Sequence, residues 1–254
     1  MKQPLLKRGG LRAISYLRRL TSAERNAAAD AHLGQTLCFV AGAVNAGGFL
    51  AVGQYTSHMS GIASAVADSF ALGNFVLALL GAGALLSFMA GAACSAILIN
   101  WGRRHDTRNQ FTFPLLLEAV FLLCFGLFAS SFEDKVYLLV PLLCFIMGLQ
   151  NAIITKVSQA RIRTTHVTGL VTDIGIELGK LAYWNRSEIA AARVEADLGK
   201  LLLLCSLLSA FILGGIVGAL GFKHLGFVTT VPLAVILLIL AGLPLIMSFW
   251  GKRR

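Results

Sequence analysis

Thr164–Gly169 reads TTHVTG, a polar hexamer between a basic stretch and an apolar run that carries Asp173 and Glu177. A near copy, TSHMSG, occupies Thr56–Gly61. Laid over each other at an offset of 108, Ser57–Ser64 and Thr165–Thr172 keep His and Gly identical, keep hydroxyls at three positions and keep apolar side chains at three more. A second match lies upstream at an offset of 106, where Gly42, Asn45 and Ala46 fall over Gly148, Asn151 and Ala152. Each hexamer leads into a short apolar stretch, Ser60–Leu72 or Thr168–Tyr183, and then into two longer ones. The chain reads as two copies of one unit: span, hexamer, short helix, span, span.

The solvent that suits this unit is lipid. Of 254 residues, 57% are hydrophobic and 13% charged, and the mean hydropathy is +0.76. Soluble domains are about 45–50% apolar and about 25% charged. A membrane-crossing helix needs about 20 mostly apolar residues. Six stretches qualify: Leu33–Val52, Phe75–Trp101, Phe111–Phe132, Val136–Ile154, Lys200–Leu220 and Phe227–Trp250. The fold expected is all-α: a polytopic membrane protein with six transmembrane helices and two short re-entrant or interfacial helices. Residues 1–32 form a basic N-terminal segment. Residues 33–250 form one membrane domain, divided into repeats at 33–132 and 136–250.

Lys and Arg fix the orientation, because short cytoplasmic loops collect them. Of the 22, all but Lys135 and Lys223 fall before Leu33, in the turn Arg103–Arg108, between Lys156 and Lys200, or in the tail from Lys252. Six crossings put all of those on the cytoplasmic face with both termini, in the inner (plasma) membrane. The net charge of +10 is thereby accounted for without nucleic acid. The N-terminal segment obeys the positive-inside rule; a surface helix on anionic lipid is the functional alternative. Three crossings per unit also invert the second copy relative to the first, as in many transporters.

At these residues the sequence resembles the YoaK-like family of bacterial membrane proteins, a domain-of-unknown-function group (family 1275). The carriers are Gly42, Asn45 and Ala46 with HMSG in the first half, and GLQNA (Gly148–Ala152) with TTHVTGLVTDIG (Thr164–Gly175) in the second. The resemblance spans roughly Leu33 to Trp250. It implies an integral inner-membrane protein and supplies no activity.

The hexamers suit helix starts. Ser57 and Thr165 stand where N-caps belong, the following hydroxyls Ser60 and Thr168 can meet free backbone N–H groups, and Gly61 and Gly169 admit a neighbouring helix. Such a helix start attracts an anionic group; the plainer reading is a cap at each interface with His58 and His166 touching headgroups. His166, Gly169, Asp173, Glu177 and Lys180 share one helical face. His166 and Asp173 either line a polar path or sit in interfacial water, while Glu177 and Lys180 read as a water-facing pair. Asp68 lies at the edge of the matching face in the first half. Glu118 lies inside a span, where a carboxylate costs about 2.5–3.5 kcal/mol and seeks a partner or cavity. Asn151, with Asn45 and Gln150, reads as interhelical glue or as part of a path.

No HExxH, GxSxG, P-loop or dinucleotide fingerprint occurs, and the five cysteines are scattered through apolar runs. Neither an enzyme, a cofactor nor a metal is expected. The function expected is a secondary transporter or channel-like permease for a small polar or anionic solute, with proton coupling and homo-oligomerisation open. A scaffold and a membrane-embedded enzyme are the alternatives.

Overall fold

The computed structural model describes residues 27–105, 110–132, 136–157, 167–184 and 193–251. The described residues are helical, with no strand among them. Eight α-helices follow in order: α1 (Ala27–Val52), α2 (Met59–Ala71), α3 (Phe75–His105), α4 (Thr112–Phe128), α5 (Val136–Val157), α6 (Val167–Ala182), α7 (Leu198–Leu225) and α8 (Thr230–Gly251). Short 3-10 turns follow α4 (Ala129–Phe132) and precede α8 (Gly226–Thr229). The first helix already includes residues 27–32, ahead of the expected boundary at residue 33, because the alanines there propagate a helix.

Five stretches of the described residues are long and apolar enough to cross a membrane: Ala28–Val52, Phe75–His105, Thr112–Ser131, Val136–Lys156 and Leu198–Gly242. The last runs through α7, the 3-10 turn and the first part of α8. α3 and α7 expose apolar side chains along their length, with Leu79 74% and Leu202 71% exposed. A water-soluble surface does not carry apolar faces of that extent; a lipid-facing one does. The protein is a membrane-embedded helical bundle. Its core is α1, α4, α5 and the start of α8, where Leu37, Leu115, Leu143, Ile146 and Ala234 are fully buried.

Four copies of one motif set the helix pairs. Phe39-x-x-Gly42 on α1 crosses Phe211-x-x-Gly214 on α7: a Cβ on Gly42 would collide with the Phe211 carbonyl, and a Cβ on Gly214 with the Phe39 carbonyl. Phe88-x-x-Gly91 on α3 crosses Phe145-x-x-Gly148 on α5 in the same reciprocal way. Only glycine lets two backbones come this close, and close backbone approach drives helix association in lipid. The paired residues match across the chain: Phe39 and Gly42 lie 106 residues before Phe145 and Gly148, and Phe88 and Gly91 lie 123 before Phe211 and Gly214.

α1 and α7 run parallel, since Gln35 donates to Ser206 Oγ at 2.9 Å while Ala43 meets Gly218 and Gly47 meets Phe222 further along. α4 and α8 also share a start, Thr112-x-Pro114-Leu115 and Thr230-x-Pro232-Leu233. Proline is tolerated in that first turn because the N–H it lacks has no helical acceptor there. The Thr230 hydroxyl lies 3.0 Å from the carbonyls of both Leu122 and Phe227, tying α8 to α4. The short helices ride on the outer ones, α2 on α3 and α6 on α7.

Two helices carry a stripe of small residues at every fourth position, Gly83, Ser87, Gly91 and Ser95 on α3 and Ala210, Gly214 and Gly218 on α7; Gly91, Ser95, Gly214 and Gly218 are buried within the chain. Gly83 faces open space.

Candidate functional site

The first hexamer is held differently from the expectation. Ser57 does not cap α2. Its backbone N–H and its hydroxyl both donate to Asn45 Oδ1 of α1, at 3.2 and 2.8 Å. α2 starts one residue later than a Ser57 cap implies: His58 occupies the cap position without a side-chain capping bond. Asn45 wins the serine because its carbonyl can accept both donors at once. Gly61 likewise faces no second helix. Its missing Cβ leaves room for the His58 ring, whose Nδ1 would lie 2.9 Å from that atom.

His58 and Gly61 line a cavity of about 540 Å³ between the end of α1, α2, the start of α3 and the start of α5. Its polar groups are Gln54, Tyr55, His58, Ser69 and Tyr137; the rest of the wall is apolar, from Ile62, Ala65, Val66, Leu77, Leu80 and Val140 among others. Among the described residues, neither a carboxylate nor a Lys or Arg lines it. Phe49 stacks on Tyr55, ring centroids 4.5 Å apart, and closes one side.

The other singled-out residues lie elsewhere. Ser60 is exposed and outside the cavity lining. So is Asp68, contrary to an inward turn, because the packed face of α2 is Met59, Ile62, Val66 and Ser69 and Asp68 falls between its ridges. Glu118 is fully buried on α4. Gln150 of α5 is its polar neighbour, and no atom of either side-chain head group has a hydrogen-bond partner among the described residues. Asn151 is half-buried; its Oδ1 also lacks a partner there, while its carbonyl accepts from Thr155 Oγ1 at 2.7 Å. His166 lies outside the described residues. Thr168 is exposed, and its carbonyl accepts from Thr172 Oγ1; Gly169 is half-buried. Among the described residues, the singled-out side chains fall at separate places: the cavity with His58 and Gly61, the buried Glu118 beside Gln150, and an ionic cluster.

Asp173 belongs to the third of these. Lys200, on the first turn of α7, places Nζ 3.8 Å from Asp173 Oδ2 and 3.6 Å from Glu177 Oε1. Lys180 Nζ donates to Glu177 Oε1 at 2.9 Å. The Asp197 N–H donates to Glu177 Oε2 at 2.9 Å, and the Asp197 side chain caps α7 through the Lys200 N–H. The Glu177–Lys180 pair forms as the sequence suggests, but not in open water: the Glu177 side chain is 1% exposed. The packed face of α6 runs Leu170, Ile174, Glu177, and it leaves Val171 and Leu178 outside. The polar and apolar faces drawn from the sequence are rotated accordingly.

The Lys180 ammonium, and after it the Asp197 N–H, hold the Glu177 carboxyl below its ordinary value of 4.5. A lowered folded-state pKa stabilises the fold above the unfolded-state pKa, and that contribution is lost as pH falls through the lower folded value. Thermal melts in detergent are expected to show wild type above Glu177→Gln at neutral pH, with the gap narrowing only below 4.5. A gap constant into strong acid would contradict this.

The model of the family described as "Protein of unknown function (DUF1275)" matches residues 33–243. The chain belongs to the DUF1275 family. No curated protein and no solved structure matches it. In this DUF1275 protein the two Gly-x-x-Asn-Ala motifs lie on α1 and α5, where Gly42 and Gly148 make the close crossings and Asn45 holds the first hexamer. Sequence reasoning missed Tyr137 and Gln54 as cavity residues and Glu177 as the hub of the ionic cluster. The fourfold Phe-x-x-Gly pattern was a readable signal for the crossings; Tyr137 reads from the sequence as an interfacial aromatic, not as a cavity residue. Among the described residues, no three His, Cys, Asp or Glu side chains converge as a metal site.

Proposed function

We propose that this DUF1275 protein is a secondary transporter of the inner membrane, built as two inverted three-crossing halves, residues 33–132 and 136–250, with both termini cytoplasmic. The observation that carries the reading is the reciprocal crossing. The first helix of each half pairs with the third helix of the other, through glycines at matching positions. Parallel partners must cross the membrane in the same sense, as α1 and α7 do under six crossings. Inverted repeats of this type flank a solute site that opens to alternate faces. The cavity beside the first hexamer is the solute entrance in this reading.

Its wall favours an uncharged polar solute with apolar bulk, because the described lining is apolar apart from Gln54, Tyr55, His58, Ser69 and Tyr137. The His58 imidazole in that wall can exchange hydrogen bonds with such a solute. The basic segment before Leu33 would rest on anionic lipid.

Uptake into reconstituted vesicles, with and without an imposed pH gradient, tests this on a panel of small neutral and charged solutes. Wild type is expected to accumulate at least one of them, and His58→Ala is expected to fall to the level of protein-free vesicles. A wild type that passes none, or a His58→Ala variant with undiminished flux, would sink the transport reading and leave a scaffold.

A further inference from the structure

We propose that Glu177 is the hub of an ionic clasp that holds the face opposite the cavity shut, so that the structure is the cavity-open, clasp-closed member of an alternating pair. The proposal rests on the inverted-transporter reading above. It comes from comparing what each half places at matching positions. At the hexamer offset of 108, Ala65 and Ser69 of α2 match Asp173 and Glu177 of α6; at the offset of 123, Leu77 and Gly81 of α3 match Lys200 and Leu204 of α7. The four first-half residues line the cavity. Their second-half counterparts are engaged: Lys200 reaches both Asp173 and Glu177, and Leu204 is buried, where its counterpart Gly81 packs on Val66 at the cavity wall.

The clasp joins elements that must part if the second half is to open. Glu177 sits on α6, while Lys200 and Asp197 belong to the start of α7. Among the described residues, no ion pair or side-chain hydrogen bond joins α2 to α3; that contact is apolar, through Ile62, Val66, Gly81 and Ala84. The arms are unequal. The Asp173–Lys200 pair is nearly half exposed on both sides, and such pairs contribute little. Glu177 is withdrawn from solvent and accepts two hydrogen bonds, from Lys180 and the Asp197 N–H, beside an ion pair with Lys200, so removing its charge leaves all three without that partner. Loss of the Glu177 charge therefore shifts the population toward the clasp-open state, in which the cavity side closes.

The test needs no solute. In full-length protein with its five cysteines replaced, single cysteines at Ala65, in the cavity, and at Leu204, behind the clasp, are labelled with an impermeant maleimide from each face of sealed vesicles. With Glu177 intact, Ala65→Cys reacts quickly from one face and Leu204→Cys slowly from the other. Adding Glu177→Gln is expected to speed Leu204→Cys by at least about tenfold, the change that about 1.4 kcal/mol in the opening equilibrium produces, and to slow Ala65→Cys. Lys200→Gln is expected to act in the same direction, and Asp173→Asn to change either rate by less than about twofold, as befits an exposed pair. Unchanged rates in both Glu177→Gln and Lys200→Gln overturn the clasp, as does a rise at both cysteines together, which signals loosening instead of exchange. Intact solute uptake beside unchanged labelling rejects the clasp alone. Opposed labelling changes in a protein that passes no solute reject the transport reading and keep the clasp.

Discussion

Gly214→Leu is expected to abolish recovery of folded protein, whereas Gly83→Leu, in the matching stripe of α3, is expected to be recovered at wild-type levels. The two sites differ in what a side chain would meet. At Gly214 even a Cβ runs into the Phe39 carbonyl, which is helix backbone and cannot rotate away. At Gly83 nothing lies within 4 Å. Overpacking typically costs about 1–3 kcal/mol when side chains can shift to absorb it. Here relief requires α1 and α7 to separate. That also breaks the Gly42–Phe211 and Gly218–Ala43 contacts and the Gln35–Ser206 hydrogen bond, so the cost reaches or exceeds the top of that range. Yield, gel-filtration profile and melting temperature in detergent are the measurements. A monodisperse Gly214→Leu protein with a wild-type melting temperature would show that the crossing does not hold the halves together.

The second large effect is on passage. Ala65→Trp is expected to abolish solute uptake while the protein stays folded, and Asp68→Asn is expected to leave uptake unchanged. Ala65 lines the cavity and is exposed, so a larger side chain enters open space without displacing packed neighbours. Asp68, three residues on, points away from the lining. Uptake by both variants, with gel filtration as the folding control, separates the cavity from its surroundings. Full uptake by Ala65→Trp would mean that solute does not use this entrance.

Much of the architecture was legible in the sequence, and the reasons it failed at the site are physical. Hydropathy marked the long helices because a helix that faces lipid must be apolar over its whole length. The short helices were marked by the hexamers before them. Partner choice was not visible in the same way. Phe39-x-x-Gly42 looks alike whether it crosses α7 or α3, and only three-dimensional packing decides between them.

Ser57 looked like a cap because cap preference is local, but Asn45, 12 residues earlier, competed for the same hydroxyl. Glu177 looked like a water-facing acid because Lys180 stands three residues on. Its burial comes from α7 and Asp197, 20 residues further along the chain and outside the helical wheel. Glu118 was singled out by its cost in a span, and it is buried as that cost requires. Its neighbour Gln150 was named as glue or path residue, but not as the group beside Glu118.

The claim on which the rest depends is that the two hexamer units stand on opposite faces of the membrane. Tyr55, beside the first hexamer, and Tyr183, just past α6, are both exposed. Single cysteines at these two positions, labelled with an impermeant thiol reagent in intact cells and in inside-out vesicles, measure it directly. The account predicts that Tyr55→Cys reacts only from outside and Tyr183→Cys only from the cytoplasmic side. Labelling of both from the same side would contradict the inversion, and with it the transporter.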